Sequence, residues 1–246
     1  MLVILFICSI LIGLSIGMIG IGGVFLTPTL ILLLELPIST AMGTSLATFI
    51  GTGLLGSYIY HQEGNIDWPA ALLLGSTSIV GAIIGSQINL AISEEILQLI
   101  LAIFLALVGF SIFLRKKLPI LNSNYSPQLT TKLNKITFSL LGVSVGIISG
   151  LLGVGGPVLL VPILILLGWP MLTAVGVSQV VSIFAAVSGT INYLLTGNVR
   201  IRLATLILTG ELIGVLSGGY LAHRLNNKHL KLILSCSLIG LSIYFL

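Results

Sequence analysis

Gly13-Leu14-Ser15-Ile16-Gly17-Met18-Ile19-Gly20-Ile21-Gly22-Gly23 returns 133 residues later as Gly146-Ile147-Ile148-Ser149-Gly150-Leu151-Leu152-Gly153-Val154-Gly155-Gly156. All five glycines of the first stretch fall on glycines of the second. The same ungapped offset carries Pro37, Thr40, Ala41, Gly43 and Ser45 onto Pro170, Thr173, Ala174, Gly176 and Ser178. It carries Gly56, Tyr60, Gly64 and Asn65 onto Gly189, Tyr193, Gly197 and Asn198, and Gly81 and Gly85 onto Gly214 and Gly218. Pro28 and Pro162 are out by one position. Matches among Gly and Leu arise easily in an apolar chain, but one offset that also aligns Pro, Tyr, Asn and Ser does not. The chain is two copies of one unit.

The medium of that unit follows from composition. Of 246 residues, 57% are hydrophobic and only 7% charged, with a mean hydropathy of +1.22. Ordinary soluble domains carry roughly 25% charged residues, so this chain cannot present a normal wet surface. A soluble enzyme, a disordered chain and a nucleic-acid binder are excluded, and the surrounding partner is a lipid bilayer. The net charge of +4 does not call for a polyanion, because the ten basic residues sit in short segments between apolar runs. Those runs are continuous, as in Ile96–Leu114, whereas membrane strands alternate apolar and polar residues. Helices are what remain. Cys8 and Cys236 each lie alone in an apolar run and read as small buried residues, with no disulfide or metal pair. Leu2–Ile19 lacks a positive start and continues into Gly-rich sequence, so it does not read as a cleaved signal peptide.

Each unit reads alike. An apolar run (Leu2–Ile19; Ile136–Leu152) stops at a Gly cluster. A short run follows (Val24–Leu34; Val158–Leu167) and ends before Pro37 or Pro170. Longer helices are expected over 41–60, 69–92 and 96–114, then 172–195, 203–222 and 230–246. A dozen helical residues rise about 18 Å, short of a hydrocarbon core of about 30 Å. The first two runs of each unit are therefore expected as a broken or re-entrant pair, the best sequence pointer to a transporter's binding site. Residues 1–114 contain no Lys or Arg, while 115–135 hold Arg115, Lys116, Lys117, Lys132 and Lys135. Basic loops face the cytoplasm. The expected organisation is a first membrane repeat at 1–114, a cytoplasmic linker at 115–135 and a second repeat at 136–246. If each unit's opening pair returns to its own side, a unit crosses an odd number of times and the repeats are inverted. Arg224, Lys228 and Lys231 are then inside and Arg200 and Arg202 outside; parallel repeats would strand three basic residues outside instead of two. The fold class is all-α: a polytopic transmembrane bundle of two inverted repeats with broken helices.

The Gly clusters are the leading candidate for ligand contact. Gly20, Gly22 and Gly23, with Gly153, Gly155 and Gly156, tolerate backbone angles closed to other residues. An unwound stretch leaves N–H groups free, and the start of the next short helix adds partial positive charge, together an anion site. Close helix packing is the competing reading. Thr44, Ser45, Ser178 and Gln179 place hydroxyls and an amide near the start of a long helix, where they could bind an anion's oxygens or bond their own backbone. Asn192 and Tyr193 are expected at an interface. The Gly81/Gly85, Gly214/Gly218, Gly13/Gly17 and Gly146/Gly150 pairs have the small-xxx-small spacing of packed helices.

Glu211 is the one acid expected at the middle of a span. An ionised carboxylate there costs several kcal/mol unless paired or hydrated, and such residues often relay protons. Its counterpart is Ser78, so a proton-coupling role would belong to one half. Glu35, Glu63, Asp67, Glu94 and Glu95 fall at span ends. His61, His223 and His229 are too scattered to hold a metal. No nucleophile with its base, phosphate loop or cofactor motif is present, so no catalytic residue, metal or cofactor is expected, and the chain does not read as an enzyme.

With these motifs in place, the chain resembles the sulfite exporter TauE/SafE family of membrane transporters. The resemblance rests on the duplicated Gly-x-Gly-Gly followed by an apolar stretch and Pro (Gly20–Pro28; Gly153–Pro162), on Ala41-Met42-Gly43-Thr44-Ser45-Leu46, and on Gly64-Asn65-Ile66-Asp67-Trp68. It covers nearly the whole chain outside the linker. It implies a multi-pass carrier in the plasma (inner) membrane of a prokaryotic-type cell, moving small inorganic or organic anions such as sulfite or organosulfonates and coupled to an ion gradient. The first Gly motif departs from the family pattern at Val24, where a third Gly is common, and its Pro comes one residue early. A passive anion channel and a membrane scaffold are the alternatives, and self-association into a homo-oligomer is left open.

Overall fold

The computed structural model describes residues 2–20, 22–114, 135–222 and 227–245. Helix α1 (Leu2–Ile19) ends at Gly20, and a 3-10 turn (Gly22–Phe25) leads into α2 (Leu26–Leu34). Then come α3 (Ile38–Gln62), α4 (Trp68–Ala91) and α5 (Glu94–Leu114). The second half repeats the order as α6 (Lys135–Leu152), α7 (Pro157–Leu166), α8 (Met171–Leu195), α9 (Ile201–Ala222) and α10 (Asn227–Phe245). Among the described residues there is no strand, and six helices (α3, α4, α5, α6, α8 and α9) are long and apolar enough to cross a membrane. Most of the linker expected at 115–135 lies outside the described residues; Lys135 already opens α6. The long helices begin one to three residues earlier than the apolar runs suggested.

Local chemistry explains the punctuation. Gly20 (φ +79°) and Gly153 (φ +63°) adopt left-handed backbone that L-residues resist, and both long helices break there. Pro37 and Pro170 cannot continue a helix but can precede one. Their carbonyls accept the N–H groups of Ala41 and Ala174, each at 2.9 Å, to open α3 and α8. Asp67 caps α4 by accepting the Ala70 N–H at 3.1 Å. The arms α2 and α7, of 9 and 10 residues, rise about 15 Å, half a hydrocarbon core.

In lipid, helices gain little from hiding apolar side chains, so close backbone contact holds them together. The glycine pairs provide it, and they do so twice. A Cβ on Gly81 would strike the Val143 carbonyl, and one on Gly214 the equivalent Ile10 carbonyl. Gly85 lies against Ile147 and Gly218 against Leu14; Gly146 lies against Ser78 and Gly13 against Glu211. Thus α4 packs on α6 and α1 on α9, each helix of one half against a helix of the other.

The registers give direction. Gly142 meets Leu74, Gly146 meets Ser78 and Gly150 meets Ala82, so α4 and α6 run the same way. Gly210 meets Ser9, Gly214 meets Ile10 and Gly218 meets Leu14, so α1 and α9 do too. At the centre the order reverses. Gly43 meets Tyr193, Gly53 meets Ile183, Gly56 meets Gln179, and Gly176 meets Tyr60. Helix α3 therefore packs antiparallel on α8, its own counterpart.

The outer surface is apolar in stripes. On α5, Ile96, Leu99, Ile103, Leu107 and Phe110 are exposed while Leu97, Leu101, Leu105 and Val108 are buried, the two faces of one helix between lipid and protein. The cysteines depart from the expected burial: Cys8 is half-buried and Cys236 exposed, because each lies toward the outer face of its helix rather than in the core.

Candidate functional site

The two glycine turns converge on one side chain. A Cβ on Gly23 would overlap the Phe49 ring, and one on Gly155 would stand 3.0 Å from Phe49 Cδ1. Phe49 belongs to α3 and is 4% exposed. Gly156 begins α7 without a side-chain cap, and Pro157 occupies the first helical position. A Cβ on Gly156 would face the Ser178 carbonyl oxygen at 3.3 Å and the backbone of Ser182. The 3-10 turn at Gly22–Phe25 and the break at Gly153–Gly156, both buried, thus meet at Phe49 of α3.

Gly20 and Gly22 are placed differently from Gly23. The Gly20 N–H closes α1 by bonding the Ile16 carbonyl at 2.8 Å. Gly22 packs against the α1 backbone at Ile12 and Ile16. Gly153 is held from the other half: the Ser45 hydroxyl donates to its carbonyl at 2.9 Å, and the Thr27 hydroxyl reaches the Leu152 and Gly153 carbonyls at 3.4 Å.

The remaining polar candidates each have a position in the framework. Thr44 accepts the Arg200 N–H at 3.0 Å and so anchors the start of α9. Ser178 donates to the Ala174 carbonyl of its own helix at 2.5 Å. Gln179 is buried and lies along Gly56 of α3. Tyr193 donates to the Gly150 carbonyl and Asn192 to the Ser86 hydroxyl, both at 2.8 Å, which places them at the interface between halves as expected.

Glu211 is 0% exposed, and neither carboxyl oxygen has a hydrogen-bond partner of good geometry among the described residues. The polar group facing it is the Thr48 hydroxyl. That hydroxyl also lies 2.9 Å from the Ser45 carbonyl, so its one proton serves either the carbonyl or the carboxyl group. When Thr48 donates to Ser45, a bond between Thr48 and Glu211 needs the proton to come from Glu211. Thr48 and Phe49 are neighbours on α3, one facing the buried acid and the other the glycine turns.

Thr27, Thr48, Phe49 and Ser182 were not among the sequence candidates. Phe49 and Ser182 could have been found as a mismatch, since they occupy equivalent positions in otherwise similar copies. Thr27 and Thr48 also differ from their counterparts Leu160 and Val181, but nothing near them in sequence points to their distant partners. No group of three or more His, Cys, Asp or Glu that could hold a metal ion occurs among the described residues.

Comparison with known proteins agrees with this architecture. The chain is 32% identical to "Probable membrane transporter protein YdhB" of Bacillus subtilis, over 93% of this chain and 91% of that protein. It is 28% identical to "Probable membrane transporter protein MJ0441" of Methanocaldococcus jannaschii, over 98% and 93%. A "Probable membrane transporter protein" of Haemophilus influenzae is 30% identical over 75% and 70%. No solved structure matches. The family described as Sulfite exporter TauE/SafE matches residues 5–245. From a helical membrane bundle, duplicated glycine turns and a match along nearly its whole length, the chain belongs to the sulfite exporter TauE/SafE family of multi-pass plasma-membrane transporters.

Proposed function

We propose that this protein is a secondary carrier of small anions, sulfite or an organosulfonate among them, with its seat between two inverted halves. The observation that carries this reading is the convergence of both glycine turns on the centre of the α3–α8 pair. Backbone N–H groups in such turns can hold an anion without a fixed cation, so the bound charge is stabilised but not trapped. The antiparallel α3–α8 register supports halves of opposite orientation, and alternating access then becomes rocking of one half against the other around the seat.

Glu211 supplies the coupling in this scheme. A permanent negative charge beside the seat would repel the substrate, and a buried carboxylate without partners is costly. Protonated, Glu211 can donate to Thr48. Releasing that proton to one side of the membrane and regaining it from the other links anion movement to the proton gradient.

The test is counterflow in proteoliposomes with sulfite, thiosulfate, sulfoacetate and sulfate. A carrier saturates and accelerates labelled uptake when unlabelled anion is trapped inside. Conduction without counterflow would identify a channel, and no flux of any anion would leave a scaffold.

A further inference from the structure

The two turns are copies, but their surroundings are not. Gly23 lies against the Phe49 ring, whereas the equivalent Gly156 faces only backbone, that of Ser178 and Ser182. Phe49's own equivalent is Ser182, 2% exposed. A single ring therefore touches both turns, while the equivalent position on α8 carries a small serine. The ring meets Gly23 with its edge and offers an anion no N–H or O–H donor, so the anion's oxygens are left to the amides of the turns. A ring is also bulky and held in place by packing.

We infer that Phe49 is the size-determining wall of the seat: it limits how large a group the bound anion can carry. This rests on the anion-carrier reading above. Shortening Phe49 should enlarge the seat without removing the turns that hold the charge.

The experiment compares counterflow of sulfite and of the bulkier benzenesulfonate in the parent protein, Phe49→Leu and Phe49→Ser. Pocket enlargement by a few carbons shifts selectivity by about tenfold or more. The benzenesulfonate-to-sulfite ratio should rise by about that factor in Phe49→Ser and by less in Phe49→Leu. If Phe49→Ser fails to reconstitute, the Leu variant, which keeps an apolar side chain against the turns, decides. An unchanged ratio in an active variant overturns the inference and leaves the carrier reading intact. No counterflow of either anion by the parent protein defeats the carrier reading, and the inference with it.

Discussion

Ser45 of the first half donates its hydroxyl proton to the carbonyl of Gly153 in the second, across 2.9 Å. Its counterpart Ser178 bonds its own helix instead, at Ala174. The repeat is thus clamped on one side only, and any displacement of α3 pulls directly on the second glycine turn.

Ser45→Ala removes that clamp and leaves the buried Gly153 carbonyl with only the long bond from Thr27. A lost buried hydrogen bond costs about 1–2 kcal/mol, so the melting temperature in detergent should fall measurably. Ser178→Ala breaks only a back-bond within a helix and should cost less, about 0.5 kcal/mol or below. Equal losses in the two variants would show that the cross-half bond has no special weight.

Gly155→Leu and Gly22→Leu should fail for different reasons. At Gly155 the new side chain meets the Phe49 ring, so the protein should insert and purify normally while anion affinity falls at least about tenfold. At Gly22 it meets the α1 backbone, and overpacking there costs about 1–3 kcal/mol or more, so thermal stability should drop. Normal binding by a well-folded Gly155→Leu protein would remove the turn from the seat.

The proposed inverted arrangement has a direct topological consequence. In a background with Cys8 and Cys236 replaced by Ser, single cysteines at Asn65 and at Asn198 should react with a membrane-impermeant thiol reagent from opposite faces of the membrane. Asn65 should be labelled from the side of the basic linker. Labelling of both from one face would mean halves of the same orientation.

How far the sequence revealed all this depends on the kind of interaction. Glycines that let backbones touch keep their spacing in both copies, so the repeat, the helices and the Gly81/Gly85 and Gly214/Gly218 contacts were legible. The breaks at Gly20 and Gly153 were legible as well, because positive φ strongly favours glycine. Partnerships across the halves were not. Nothing near Ser45 in sequence points to a carbonyl 108 residues away, and nothing near Thr44 points to the start of α9. Glu211 stood out as an acid in an apolar run, but Thr48 beside it looked like one hydroxyl among many. Phe49 was hidden because an aromatic in a membrane helix usually faces lipid or core; only its pairing with Ser182 distinguishes it.

The central claim is a carrier that moves anions and is driven by protons through Glu211. Glu211→Gln keeps the shape and a donor toward Thr48 but cannot titrate. The decisive measurement is two fluxes on one reconstituted Glu211→Gln preparation: anion counterflow at equal pH, and uptake driven by an imposed pH gradient. Counterflow needs no net proton movement and should stay within about twofold of the parent, while gradient-driven transport should be lost. Gradient-driven transport equal to the parent's would contradict the account and leave Glu211 a structural residue.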